Sequence, residues 1–320
     1  MSPSQQANPI HGEFADRTEP FRRELLAHCY RMLGSVDDAE DVLQETYLRA
    51  WRSYGGFEGR SSLRTWLYQI ATNACLTARE QRARRALPSG LGGPGEDRPS
   101  EHGWLQPMPD ALVTGETDDP AVIAAMRDSL RLALIASFQY LPPRQRAVLL
   151  LREVLAFPAD EVARMLGTST VAVKSALQRA RARLSDVAPA YRRIAEPPEP
   201  AARALLDQYI VAFETADASA LERLLRRDAM LELPPSSSWY AGGEAIATAV
   251  AGLGYPGEWR MVPTAANGQP AAAAYRRGTD GTYQAYGIVV LTVSATGIAR
   301  IVVFGDPGLF GRFGLPPTWR

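Results

Sequence analysis

The residues best suited to chemistry in this chain lie on one polar and cationic face of a helix that begins near Thr170. Its apolar stripe, at helical spacing, consists of Val173, Ala176, Leu177, Ala180 and Leu184. The opposite face carries Thr170, Val171, Lys174, Ser175, Gln178, Arg179 and Arg181. Cationic heads neutralise phosphates, while amide and hydroxyl groups hydrogen-bond to base edges. The chemistry available on this face is recognition of nucleic acid.

A second helix precedes this one across a tight turn. In AFPADEVARMLG, Pro158 suits the first position of a helix, and Gly167 can take the left-handed conformation that ends it. Ser169 is a natural N-cap for the helix that follows. The pattern predicts a helix-turn-helix, with an ordinary helical hairpin as the alternative. From Leu141 to Arg193, ten Lys and Arg stand against four Asp and Glu in a chain of zero net charge, which favours contact with phosphates.

Length and composition limit the classes of protein that fit. The 320 residues suffice for two or three domains, with 46% hydrophobic and 22% charged residues, as in ordinary globular proteins. The sequence has neither a signal-peptide pattern nor an apolar run near the ~20 residues of a membrane helix, which predicts a cytoplasmic chain without a membrane anchor. Cys29 and Cys75 fit core thiols, and the three scattered histidines lack metal-ligand spacing. No metal and no cofactor are predicted.

The first part of the chain reads as helices joined by a glycine-rich loop. The helix SVDDAEDVLQETYLRAW has acidic first turns, which suit either the helix dipole or docking of a basic partner. The loop SYGGFEGRSS holds Phe57 among Arg60, Ser61 and Ser62. An aromatic ring in such a loop is better explained by stacking on an unpaired base than by a core. The next helix turns polar residues outward, Asn73 and Arg79 among them.

The predicted fold class is multi-domain: two all-α domains, the second a helix-turn-helix, joined by an acidic linker, plus an α+β cone. The expected boundaries are a disordered N-terminus at 1–18, a helical domain at 19–86, a Gly/Pro-rich linker at 87–119, the helix-turn-helix domain at 120–193 and the cone at 201–320. From Ala86 to Met126 seven acidic residues face one arginine. A short apolar stretch, called here the island, interrupts this linker. Flexible linkers that only connect domains do not usually contain such a stretch. Its members, Trp104, Leu105, Pro107, Pro109 and Asp110, are expected to dock.

The helical part resembles extracytoplasmic-function (ECF) RNA polymerase sigma factors. DAEDVLQETYLRAW followed by RSSLRTWLYQIATNAC resembles their region 2, and LPPRQRAVLLLREV followed by FPADEVARMLGTSTVAVKSALQRARARL resembles their region 4. The resemblance implies that core RNA polymerase is a partner, through its β′ clamp helices and β flap. It also implies that region 2 melts the −10 promoter element and that region 4 reads the −35 element.

The resemblance assigns three sets of residues by motif. The polymerase-binding residues would be Asp38, Asp41, Gln44 and Glu45. The −10 DNA would meet Phe57, Arg60, Ser61, Asn73 and Arg79. The −35 DNA would meet Thr170, Lys174, Ser175, Gln178 and Arg179. A flipped base needs a stacking pocket, whereas duplex reading needs a helix in the major groove, and the two sets supply these respectively.

The last third resembles the SnoaL-like cone, a relative of ketosteroid isomerases, through LLRRDAMLELPP, WYAGGEAI, VPTAANGQPAAAAYRR and RFGLP. Fused to a sigma factor, such a tail implies intramolecular contact with the sigma domains and regulation in cis. The island resembles a linker motif of the sigma factors that carry such a tail, and Met108 stands where that motif usually has tyrosine.

Two further hypotheses concern chemistry within the cone. A ligand pocket would be lined by Trp239, Tyr240, Trp259, Tyr275 and Phe304. Acid–base candidates are Glu232, Asp306, Tyr240 and Tyr275, but no histidine follows His102, so a His–Asp dyad is impossible. We therefore expect no catalytic residues and a protein that is not an enzyme. The alternative is a SnoaL-like small-molecule-binding protein, or an isomerase- or cyclase-type enzyme, with an appended DNA-binding regulator.

Overall fold

The computed structural model describes residues 9–80, 84–95, 103–115, 119–187, 197–252 and 254–319. These residues form two compact units. The first unit comprises Met1–Ala83 and Phe138–Val187, and the second comprises Arg84–Ser137 and Ala188–Arg320. Parts of the predicted segments, namely residues 1–8, 96–102, 116–118 and 188–196, lie outside the described residues.

Helices account for most of the first unit and for three segments of the C-terminal cone. In chain order the α-helices are α1 Pro9–Thr18, α2 Arg22–Leu33, α3 Val36–Ser53, α4 Leu63–Glu80, α5 Pro120–Leu130, α6 Leu132–Phe138, α7 Pro143–Leu149, α8 Ala159–Met165, α9 Thr170–Val187, α10 Glu199–Glu214, α11 Ala218–Leu224 and α12 Gly243–Ala251. A π-helical segment, Leu150–Val154, extends α7.

The helices of the first unit begin and end where their sequence directs. Gly34, with φ of 73°, ends α2 and donates its N–H to the Tyr30 carbonyl. Ser35 then caps α3, since its Oγ accepts the Asp38 N–H at 3.1 Å. The apolar stripes of α2, α3 and α4 meet in a core that contains Leu25, Leu26, Cys29, Leu43, Leu67 and Cys75. Both cysteines are free and buried.

The N-terminus is helical where disorder was expected. Helix α1 begins at Pro9, and Phe14 is buried with its ring 5.1 Å from that of Tyr54. The Arg17 guanidinium donates to the Tyr54 hydroxyl at 2.7 Å. The prediction of disorder over 1–18 is therefore wrong for residues 9–18. The polar composition of the segment hid the one aromatic side chain that fixes it to the fold.

The two helical segments share one unit, although the sequence predicted two separate domains. The Arg146 side chain on α7 is fully buried and donates to the Gln139 Oε1 at 2.7 Å, to the Leu141 carbonyl at 3.2 Å and to the Met32 carbonyl at the end of α2. Burial, with a smaller contribution from Arg79, lowers the pKa of Arg146 to about 9. A buried guanidinium with carbonyl partners thus joins the second segment to the first.

A buried histidine makes the first unit sensitive to acid. The His28 Nε2 lies 2.9 Å from the Thr72 Oγ1, and burial followed by the charges of Arg31 and Arg64 lowers the pKa of His28 to about 3. Below pH ~6.5 the unfolded chain therefore binds more protons at His28 than the folded chain does. The contribution of the neutral His28 to the free energy of unfolding is fully present above that pH. It is lost on acidification, by at most about 1.4 kcal/mol per pH unit.

We expect His28→Gln to flatten this loss between pH 6.5 and 5, because glutamine has no proton to gain. The measurement is hydrogen exchange of the α2 amides at pH 7.5, 6 and 5 in both proteins, after correction for the intrinsic exchange rate. Equal pH slopes in the two proteins would contradict the assignment.

The second unit is built on a mixed β-sheet. The strands are β1 Arg85–Ala86, β2 Gly103–Trp104, β3 Leu225–Glu232, β4 Trp239–Ala241, β5 Trp259–Ala266, β6 Gln269–Arg277, β7 Tyr283–Ser294, β8 Gly297–Phe304 and β9 Thr318–Trp319. The order is β4-β3-β8-β7-β6-β5, with β9 on β7, while β1 pairs with β2 alone. The β3–β8 pair is parallel, and the other pairs of this sheet are antiparallel. Helices α10, α11 and α12 cover one face, around Leu206, Tyr209, Trp259, Val289 and Leu291.

Candidate nucleic-acid interface and linker dock

The helix-turn-helix has the local geometry that its sequence requires. Pro158 precedes α8, and Gly167, with φ of 58°, makes the turn. The Ser169 Oγ accepts the Ala172 N–H at 3.2 Å and so caps α9. Val173 and Ala180 are buried, which fixes the rotation of α9 about its axis.

That rotation turns the predicted −35 residues outward. Thr170, Lys174, Gln178 and Arg179 are exposed, and Ser175 is half-buried. The Arg181 guanidinium is paired with the Glu153 carboxylate at 2.5 Å. Among the described residues, neither Lys174 nor Arg179 has a carboxylate within ion-pair distance. These two charges therefore remain available to an external anion.

The loop that is predicted to bind the −10 DNA exposes polar residues, and its aromatic ring packs against the protein on one side only. The Phe57 ring is half-buried, 4.9 Å from the Trp66 ring. The exposed Arg60 pairs with Glu58, and Ser61 is half-buried. The loop ends where the Ser62 Oγ accepts the Thr65 N–H at 3.0 Å. This arrangement leaves part of the Phe57 ring accessible.

The helix that follows this loop contacts the helix-turn-helix segment within the first unit. The Asn73 Nδ2 lies 3.5 Å from the Met165 carbonyl, and the Thr65 Oγ1 donates to the Glu161 Oε2 at 3.1 Å. Arg64 stacks 4.9 Å above the Phe157 ring. Arg79, at the end of α4, is half-buried. Helix α4, which carries two of the predicted −10 DNA contacts, is thus in direct contact with α8 of the helix-turn-helix in this conformation, which sequence reasoning did not foresee.

Helix α3 presents most of the predicted polymerase-binding residues on one stripe. Asp41 and Gln44 are exposed, and the half-buried Glu45 pairs with Arg49 at 2.7 Å. Asp38 differs from the prediction, since it is only 8% exposed beside the Ser35 cap.

Two apolar residues extend this stripe. Leu48 is 50% exposed and Trp51 is 39% exposed, although the helical pattern assigned Trp51 to the core. Their spacing of three residues, outside the buried stripe, was the available signal.

The apolar island of the linker docks on the β5–β6 turn of the cone, inside the second unit. The Met108 N–H donates to the Asn267 Oδ1 at 2.9 Å, and the Asn267 N–H donates to the Met108 carbonyl at 2.8 Å. The Gly268 N–H donates to the Asp110 Oδ1 at 2.8 Å. Pro109 forms a β-bridge with Ala266. Of the island residues, Leu105, Pro107, Pro109 and Asp110 are buried and Trp104 is half-buried.

The asparagine of this turn was missed as a functional residue. Asn267 and Gly268 read as a hairpin turn, and their φ angles of 57° and 66° agree with that. The Asn267 side chain is nevertheless fully buried, and its Nδ2 donates to the Leu130 carbonyl at the end of α5 at 2.6 Å. The Leu132 N–H donates to the Gln269 Oε1 at 3.0 Å. These bonds explain why residues 120–137 belong to the second unit rather than to the predicted 120–193 domain.

The upstream half of the linker also lies on the cone. The Ser89 N–H donates to the Glu232 Oε2 at 3.0 Å, and the Arg300 Nη1 lies 3.2 Å from the other oxygen. The Trp239 Nε1 donates to the Gly92 carbonyl at 3.0 Å. The described residues of the 87–119 segment are therefore a docked strap, not a solvated tether. Composition could not reveal this, because the partners are backbone groups of glycine and serine.

The five residues of the predicted cone pocket do not converge. Trp259 and Tyr240 pack on the helix side of the sheet. Tyr275 lies on the opposite side, with its ring 4.9 Å from Phe310 and its hydroxyl donating to the Pro316 carbonyl at 3.0 Å. Alternation along β8 places Phe304 on that side too, and Trp239 is engaged with the linker. The prediction of one pocket is wrong, because the strand period of two separates these side chains.

The two cavities described next do not provide the predicted ligand pocket at another place. A cavity of about 820 Å³ lies among α5, α10 and the β5–β6 turn, and its charged lining mixes arginines with carboxylates, such as Arg127 with Asp110 and Glu199. The cavity beside Trp259 measures about 10 Å³. Within the described ranges, no cluster of three or more His, Cys, Asp or Glu could hold a metal ion. None of the helices in those ranges is long and apolar enough to cross a membrane.

Comparison with known proteins identifies the class first. Residues 18–85 match Sigma-70 region 2, and residues 131–184 match Sigma-70, region 4, so the two helical segments define a sigma factor. The ECF RNA polymerase sigma factor SigG of Mycobacterium tuberculosis is 50% identical over 323 residues, which cover 98% of this chain and 86% of SigG. The chain belongs to the ECF family of RNA polymerase sigma factors.

The fold comparison extends over the C-terminal cone. SigJ of Mycobacterium tuberculosis is 30% identical over 212 residues, which cover 66% of this chain and 61% of SigJ. The crystal structure of SigJ superposes with a TM-score of 0.62 at 22% identity, over 94% of this chain and 100% of that chain. The predicted combination of two helical sigma regions with a C-terminal α+β fold is confirmed.

Proposed function

We propose that the chain binds core RNA polymerase and directs promoter-specific initiation of transcription. The single observation that carries this proposal is the exposed face of α9 in a sigma region 4 helix-turn-helix, where Lys174 and Arg179 have no carboxylate partner among the described residues. Thr170, Lys174 and Gln178 lie on one side of this helix, ready to enter the major groove of a −35 element. Arg179 supplies a further cation for the phosphate backbone.

The polymerase-binding surface of this proposal is the exposed stripe of α3. Asp41, Gln44 and Glu45 supply carboxylate and amide groups, and Leu48 and Trp51 supply apolar area beside them. An apolar centre with a charged rim is the usual composition of a protein interface. The stripe would bind the β′ clamp helices, and the helix-turn-helix segment would face the β flap.

The −10 element would be held by the loop and by α4. The accessible part of the Phe57 ring would stack on an unpaired base, with Arg60 and Ser61 beside it. Asn73 and Arg79 would contact the strand along α4. Asn73 is exposed, and its amide contacts the Met165 carbonyl in this conformation, so binding of promoter DNA to this amide would replace that contact.

The cone would regulate these steps in cis by holding the linker. Residues 84–137 connect the two stretches of the first unit and are hydrogen-bonded to the cone at Asn267, Gln269, Glu232 and Trp239. A docked linker limits how far regions 2 and 4 can separate, whereas a released linker removes that limit. Contact of the cone with the sigma regions themselves is part of the same proposal.

A purely regulatory cone, with no catalysis, fits the state of three of its four candidate acid–base groups. Glu232 accepts the Ser89 N–H and lies beside Arg300, and Asp306 accepts the Gly308 N–H at 2.8 Å. The Tyr275 hydroxyl donates to a carbonyl. Each of these three groups is engaged in holding the fold.

The test is run-off transcription with purified core RNA polymerase and a pool of genomic promoter fragments. The full chain is compared with a version that ends near Glu196, and retention on immobilised core polymerase is measured in parallel. We expect both proteins to be retained and to start transcripts at shared sites, with different yields. If neither protein is retained and no transcript starts, the sigma function is wrong.

Lys174→Ala and Arg179→Ala are each expected to weaken binding to the −35 duplex by about 1–3 kcal/mol where a base contact is lost, without loss of core binding. The measurement is a titration of promoter duplex against the polymerase complex of each variant. Arg203→Ala, an exposed arginine of the cone, is the matched control and leaves affinity unchanged. Unaltered binding in both α9 variants would remove this face from promoter reading.

A further inference from the structure

Val171 is an unusual residue for the surface on which it lies. Its side chain is 70% exposed, more than any other large hydrophobic residue among the described ranges. It occupies the second position of α9 and shares a helical stripe with Lys174, Ser175 and Gln178, at spacings of three, four and seven. An apolar side chain this exposed on a polar face buries little area in the unbound protein.

The start of α9 holds this side chain in a defined place. The Ser169 cap and the left-handed Gly167 fix where the helix begins, and the buried Val173 fixes its rotation. A β-branched side chain in a helix has one strongly preferred rotamer. The two methyl groups of Val171 are therefore presented at little further cost in conformational entropy when a partner binds.

We propose that Val171 reads the C5 methyl group of a thymine in the −35 element. The inference rests on the proposed promoter-binding function and adds a base-specific contact to it. The thymine methyl is the apolar feature that an unmodified base pair presents in the major groove, and side-chain methyl groups contact it. Residues at the N-terminal end of a recognition helix are those that reach base edges.

The surroundings of Val171 select duplex DNA as the occupant rather than another apolar surface. Lys174, one turn after Val171, and Arg179, near the middle of α9, are positive charges without carboxylate partners among the described residues. A protein interface centred on Val171 would have to bury those charges, whereas DNA offers phosphates to both. Other exposed apolar residues, such as Leu48, Val122 and Val211, lie on other helices.

The experiment begins with duplexes selected from a random pool by the complex of the full chain with core polymerase. In the selected −35 sequence each thymine is replaced, one at a time, by uracil, which lacks only the methyl group. We expect one position at which this replacement weakens wild-type binding about three- to tenfold, a range that fits the loss of one apolar contact. Val171→Ala should bind both duplexes equally at that position.

Val171→Thr provides a matched variant, because threonine keeps one of the two methyl groups and the β-branch. It should retain part of the preference for thymine over uracil at the same position. The proposal is overturned if no thymine-to-uracil change affects the wild type, or if Val171→Ala keeps the full preference. A selection that enriches no sequence would instead refute promoter reading itself, and Val171 would lose its role with it.

Discussion

Arg146→Ala is expected to lower the free energy of unfolding of the first unit by about 3–5 kcal/mol. The substitution removes the donors that satisfy the Met32 carbonyl, the Gln139 Oε1 and the Leu141 carbonyl, and it leaves a cavity where a fully buried side chain stood. Each buried acceptor without a partner costs about 1–3 kcal/mol. Contact between the second helical segment and α2 depends on the same group, so both segments should loosen together.

Hydrogen exchange resolved by residue is the appropriate measurement, because a chain with two units need not unfold in one step. Amides of α2 and α7 should lose protection together, while those of β6 and β7 remain unchanged. Arg144→Ala is the matched control, since Arg144 lies on the same helix and is exposed. A loss of protection as large in Arg144→Ala would show that the effect does not come from the buried guanidinium.

Asn267→Ala is expected to release the linker from the cone, at a cost of about 2–4 kcal/mol to the docked state. The change leaves the Met108 N–H and the Leu130 carbonyl without their side-chain partners. The backbone at this position has a φ of 57°, in the left-handed region. Asparagine tolerates this conformation better than alanine does, so the substitution also adds backbone strain. Leu105 and Met108, both buried in the docked linker, should become accessible.

Two further variants separate the backbone contribution from the hydrogen bonds. Asn267→Gly avoids the backbone strain of the alanine variant but still lacks both side-chain hydrogen bonds. It should therefore recover only part of the stability of the docked state. Asn267→Asp keeps the acceptor for the Met108 N–H and loses the donor to Leu130. Limited proteolysis between residues 103 and 115 reports release of the linker. Cleavage that is no faster in Asn267→Ala than in the wild type would show that Asn267 does not hold the linker on the cone.

The sequence by itself determined the helix-turn-helix and the family. Pro158, Gly167 and Ser169 act on their immediate neighbours, and helical spacing places Lys174 and Gln178 on the outer face of α9 without reference to the rest of the chain. Local rules suffice there, because caps, turns and amphipathic stripes are interactions over three or four residues.

Only the tertiary structure decided what the linker, the N-terminus and the cone residues contact. The Asn267 side chain meets Met108, 159 residues away along the chain, and Ser89 meets Glu232 across 143 residues. Phe14 is buried against a partner far along the chain, and Tyr275 and Trp259 fall on opposite faces of one sheet. Such pairings depend on strand register and on which backbone groups remain unpaired after folding, and neither quantity is a property of any short stretch of sequence.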